Sequence, residues 1–104
     1  MSTYVATGTI PTLADLRTQA AQVKAILKEA DATNVRVFGS LARGSATASS
    51  DVDLLVDVAP TTSVFALARA RQLLVALLGR EVDVIPSSGL KPRHQRVLAE
   101  AQPL

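Results

Sequence analysis

With 104 residues, the chain is sized for one domain, long enough to bury roughly two-thirds of its unfolded surface. Nearly half of it is apolar, mostly Ala, Val and Leu, and the absence of cysteine excludes disulfides and thiolate metal centres. Net charge is only +2, with the eleven cations dispersed, and the aromatics are just Tyr4, Phe38 and Phe65, so no stacking platform or basic face points to nucleic acid. No stretch approaches the roughly 20 apolar residues of a membrane span, and the N-terminus lacks the basic start and apolar centre of a signal peptide. A cytoplasmic protein without nucleic-acid or membrane partners is expected.

Residues 1–11 carry no clear period and read as a tail, leaving 12–104 as the domain. Thr12 is placed to cap a helix running to about Ala30, whose apolar positions Leu13, Leu16, Ala20, Val23, Ile26, Leu27 and Ala30 recur at helical spacing. "VRVFG" from Val35 reads as a first strand, and residues 39–50 form a loop of small and polar residues. "DVDLLVDV" (51–58) is a second strand. Thr62 or Ser63 can cap a helix to about Leu78, where Gly79 stops it. "EVDVI" (81–85) is a third strand, and a last helix is expected from near Pro92 to about Ala101. The strand–helix–strand segment from 51 to 85 predicts two parallel strands. The fold class is therefore α/β (α+β-like): a small mixed sheet of about three strands flanked by helices.

Side chains of a strand alternate between faces. Val52, Leu54, Val56 and Val58 share an apolar face, which leaves Asp51, Asp53, Leu55 and Asp57 on the other. Strand three repeats the pattern, with Val82 and Val84 opposite Glu81, Asp83 and Ile85. Parallel neighbours would bring Asp83 beside Asp51 or Asp53. Carboxylates that close repel one another, and a divalent cation removes the conflict; Mg²⁺ takes hard oxygen ligands and commonly combines a few carboxylates with substrate phosphates. Acids at exposed strand ends are common, however, and an Asp-x-Asp alone is weak evidence. Upstream, Gly39 lets a phosphate approach the backbone, and Ser40 offers a hydroxyl and an amide. Arg43 can contact phosphate or pair with an aspartate. Asp57 lies about 13 Å along the strand from Asp53 and is not expected to ligate the same ion. Ser49 and Ser50 read as turn residues. His94, among Lys91, Arg93 and Arg96, reads as a solvated helix start.

Gly39-Ser40, ten intervening residues, Asp51-Val52-Asp53 and the later Asp83 resemble the nucleotidyltransferase superfamily related to DNA polymerase β. "GSLARG…SDVDLLVD" and the small size are similar to its minimal, MNT-type members, over about residues 13–100. The resemblance implies the polymerase β-like nucleotidyltransferase fold, two Mg²⁺ ions, and transfer of AMP from ATP with release of pyrophosphate. It implies that Gly39 and Ser40 hold the triphosphate, that Asp51 and Asp53 ligate the metals, and that Asp83 completes the site beside the attacking hydroxyl. It also implies a partner: an HEPN-family RNase toxin, neutralised by AMPylation of a tyrosine, with this chain as the antitoxin. Two alternatives stay open at this point, an antitoxin that acts by binding alone and a stand-alone transferase for a small molecule or RNA.

Overall fold

The computed structural model describes residues 10–91 and 95–104, so most of the expected tail, and Pro92, Arg93 and His94, lie outside the described residues. Thr12 caps the first helix as expected, its Oγ1 accepting from the Asp15 amide (3.1 Å). The single helix predicted to Ala30 is instead two, α1 (Leu13–Arg17) and α2 (Ala20–Lys28). At the break, the Thr18 hydroxyl donates to the Asp15 carbonyl (2.6 Å), a local bond that competes with helix continuation. Both halves still bury the predicted stripe: Leu16, Val23 and Leu27 are solvent-free.

Strand β1 (Ala32–Phe38) begins three residues earlier than the sequence suggested. Its pairing shifts register between Thr33 and Arg36, where Asn34 adopts φ 51°. Asparagine is among the residues that tolerate this left-handed conformation, and the bulge it permits hides the strand's start from a simple alternation pattern. Helix α3 (Gly39–Arg43) follows at once, and then the loop to β2 (Val52–Val58). Ser63 caps α4 (Val64–Leu78) by accepting from the Phe65 and Ala66 amides (3.1 and 3.3 Å), and Gly79 ends it at φ 70°. Strand β3 (Val82–Pro86), a 3-10 turn (Ser87–Gly89) and α5 (Gln95–Glu100) complete the predicted order.

The chain then adds what periodicity could not reveal. Gln102–Pro103 form β4, pairing antiparallel with the free edge of β1, and the Leu104 amide donates to the Val35 carbonyl (3.0 Å). The expected three strands are thus four, in the order β3-β2-β1-β4. Two residues, one of them proline, carry no alternation of their own; the edge of β1 defines them. β1 and β2 are antiparallel, while β2 and β3 are parallel as predicted, with Val52 opposite Val82 and Asp53 opposite Asp83.

One face of this mixed sheet carries the core. Val37, Val52, Leu54, Val56 and Val82 are fully buried there, packed with Leu16, Val23 and Leu27 and with Leu74 and Leu78 of α4. Each such side chain contributes about 1.5–3 kcal/mol by leaving water. The buried stripe of α4 runs through Ala70, Leu74 and Leu78, whereas Val64 and Phe65 in its first turn stand exposed. The opposite face of the sheet, partly covered by α5 and the 3-10 turn, carries the acids.

Candidate active site

Asp53 and Asp83 are register partners on adjacent parallel strands, which resolves the choice left open by the sequence: Asp83 pairs with Asp53 and not with Asp51. Both project from the face opposite the core, because Val52, Leu54 and Val82 occupy the apolar side. Asp53 is partly buried and Asp83 is exposed. Burial, above all, pushes the Asp53 carboxyl up to about 6; the charges of Asp83 and Asp51 and a hydrogen bond to Asp83 act in the same direction, and Arg43 opposes them. Asp51 stands exposed just before β2, near enough for its charge to act on Asp53.

Gly39, the first residue of α3 directly after β1, meets Asp53. Its φ of 73° lies in the left-handed region, and a Cβ built on it would overlap Asp53 Oδ2 and come within 3.2 Å of Asp53 Cγ. The glycine therefore makes room for the Asp53 carboxylate itself, a more direct demand than the phosphate approach inferred from the sequence. Ser40 follows in the first turn of α3, and no side chain caps that turn. Gly44 (φ 73°) ends α3 in open space, a turn residue only. Arg43, half-exposed, donates to Glu100 Oε2 (3.0 Å) on α5, so its ion-pair partner is a glutamate distant in sequence rather than an aspartate of the site.

Asp57 is engaged elsewhere on the same face, as its distance along the strand required. It accepts from Arg36 Nη2 (2.5 Å), from Ser87 Oγ (2.7 Å) and from Asn34 Nδ2 (2.9 Å). The Ser87 and Asn34 hydrogen bonds, joined by Arg36, hold its carboxyl below the usual carboxylate range. Between Asp53 and Asp57, Leu55 is fully buried, so the acidic face is covered at its middle. Ser50 is a turn residue as expected: its Oγ accepts from the Thr47 amide (2.8 Å).

The two acids stand at a cleft of about 380 Å³ whose other walls are Phe38, Ile85, Gly89, Leu90 and Val97. Those apolar residues escaped the sequence analysis because they come from four separate segments; only Ile85, on the face of Asp83, carried a signal. Glu100 escaped it for the same reason. Among the described residues, no group of three or more His, Cys, Asp or Glu side chains is arranged to hold a metal ion alone. The donor set nonetheless suits a hard cation that also binds substrate: Asp53 and Asp83 offer carboxylate oxygens whose mutual repulsion a divalent ion would relieve. No described helix is long and apolar enough to cross a membrane.

The mixed four-stranded sheet flanked by helices is the fold of a minimal nucleotidyltransferase domain. The chain belongs to the nucleotidyltransferase domain family, whose model matches residues 20–104. It is 44% identical over 57 residues to the protein adenylyltransferase MntA of Thermococcus cleftensis, a match covering 55% of this chain and 58% of that protein, so it spans little over half of that relative. A Methanocaldococcus jannaschii protein assigned as a protein adenylyltransferase is 32% identical over 80 residues, 76% of this chain and 82% of the relative. A solved structure assigned to the minimal nucleotidyltransferases superposes with TM-score 0.78 at 41% identity, covering 89% of this chain and 96% of that one. A chain of a toxin–antitoxin crystal structure with AMP-PNP shares the fold at TM-score 0.68 and 22% identity, covering 80% and 69%.

Proposed function

We propose that residues 12–104 form a Mg²⁺-dependent protein adenylyltransferase that moves AMP from ATP to a hydroxyl, most simply a tyrosine, of a partner toxin, and so acts as its antitoxin in the cytoplasm. The observation that carries this reading is the Asp53–Asp83 pair lining an apolar cleft, with Gly39 shaped around Asp53. Supporting it are family membership, the relatives named as protein adenylyltransferases, and the fold shared with toxin–antitoxin structures. An HEPN-type RNase is the partner that the sequence resemblance suggests.

In this reading Asp51, Asp53 and Asp83 hold up to two Mg²⁺ ions together with the triphosphate. Bound there, the metal supplies charge neutralisation at the phosphates and a lowered barrier to attack on phosphorus. Gly39, Ser40 and Arg43 line the phosphate side. Phe38, Ile85, Leu90 and Val97 receive the apolar body of the acceptor, which favours an aromatic ring carrying the hydroxyl. The acceptor oxygen attacks the α-phosphorus, the bond to the β-phosphate oxygen breaks, and pyrophosphate leaves. Asp83, more exposed than its register partner Asp53, takes the hydroxyl proton.

The test is the intact mass of the partner after incubation with this protein and Mg-ATP, beside an Asp51→Asn/Asp53→Asn double variant. A gain of whole adenylyl units that the double variant does not produce is expected. An unmodified partner that is nevertheless inhibited would replace this function with neutralisation by binding alone.

A further inference from the structure

Asp51 differs from the other two acids in how it is held. Asp53 and Asp83 lie within strands, while Asp51 ends the loop from Gly44 and stands exposed before β2. Two consecutive residues after α4 brace it. Arg80, only 9% exposed, donates from Nη1 to the carbonyls of Ala48 (2.9 Å) and Ser50 (3.1 Å). The carbonyl of Glu81 accepts the Val52 amide (2.9 Å). The peptide groups on both sides of Asp51 are therefore tied to residues 80 and 81. A buried guanidinium is costly to place unless its donors are used, and here one nitrogen serves two carbonyls two residues apart, which dictates the curve of the chain into Asp51.

We propose that Arg80 is a positioning residue for nucleotidyl transfer, clamping the Ala48 and Ser50 carbonyls so that the Asp51 carboxylate is aimed at the Asp53–Asp83 pair. This rests on the function proposed above, in which Asp51 acts on the Mg-nucleotide. Its logic is preorganisation: an acid on an exposed loop loses much of its effect if it must be ordered at each turnover, and the ordering here is built in through a side chain 29 positions away. Because the two bonds come from one nitrogen, a lysine ammonium can reproduce part of the clamp, whereas methionine keeps the stem and removes every donor.

The experiment compares wild type, Arg80→Met, Arg80→Lys and Val23→Ala, the last a core truncation in α2 away from the site, all well below their melting temperatures. Amide hydrogen exchange is followed across residues 44–52, and kcat and KM for ATP and acceptor are measured against Mg²⁺ concentration. In R80M, exchange in the loop is expected to rise about tenfold or more while α2 keeps its protection. Its kcat is expected to fall about tenfold, with KM for the acceptor within about twofold. R80K should recover a substantial part of both effects, and V23A should leave both within about twofold despite its lower stability. Unchanged loop exchange in R80M, or a kcat loss no larger than that of V23A, would overturn the proposal. A wild type that transfers no AMP would instead refute the proposed function, and the exchange data would still decide whether the clamp exists. If R80M does not fold, R80Q, which keeps a buried donor on a shorter stem, takes its place.

Discussion

Replacing Asp53 with asparagine should make the metal-free protein more stable while removing its activity, and the size of the effect follows from the environment of that carboxyl. Its pKa rises from 3.8 to about 6, first through burial and then through Asp83 and Asp51. If all of that shift acted on folding it would amount to about 3 kcal/mol against the ionised form. Asp53 is only partly buried, and solvent screening reduces the figure to about 1–2 kcal/mol. The sign is that of an acid protonated more readily in the folded chain. Between about pH 4 and 6 the native state holds more protons than the unfolded one, so wild-type stability falls as pH rises through that window. The amide of the D53N variant has no charge to desolvate. The D53N advantage should therefore be near zero at pH 4, grow to pH 6 and level off above pH 7. For a domain of this size it corresponds to about 4–8 °C in Tm per kcal/mol. Thermal and urea unfolding in EDTA across pH 4–8 measures it, with AMP transfer assayed in parallel. A variant less stable than wild type at pH 7.5, or an advantage that does not change with pH, would refute the electrostatic account of the site.

Two glycines with the same φ should respond differently to alanine. Gly39→Ala meets the left-handed penalty and the Asp53 carboxylate together and should lose about 2 kcal/mol or more along with transfer; Gly44→Ala, in open space, should lose about 1 kcal/mol and keep its activity. Equal losses in unfolding experiments would show that Asp53 can yield to a Cβ. Asp57→Asn tests the network that fastens the 3-10 turn to β2. Because the folded carboxyl titrates below its ordinary 3.8, its stabilisation is present above that value and is lost as pH falls through the lower one. The gap between wild type and D57N in urea midpoint should narrow below pH 4; a gap that stays constant with pH would assign the effect to packing.

Much of the fold and the site could be read from the chain because the relevant physics is local. Alternation of β2 placed Val52, Leu54 and Val56 inside and Asp51, Asp53 and Asp57 on the other side, and the same period in β3 put Asp83 on the acidic face. Thr12, Ser63 and Gly79 marked helix ends through side-chain caps and a left-handed stop, and α1–α2 kept its apolar stripe across a break that the stripe could not show. What remained hidden depends on partners far away in sequence. β4 exists because β1 has a free edge, and β1 starts early because Asn34 tolerates a bulge that its bonding to Asp57 reinforces. Glu100 claims Arg43 through α5, Arg80 reaches the Asp51 loop from beyond α4, and the cleft walls come from four segments. Periodicity reports which face a side chain takes, since that depends only on its own backbone. Which group it meets there depends on how the elements pack, and for Asp53 that packing supplied Gly39 beside it and Asp83 across from it.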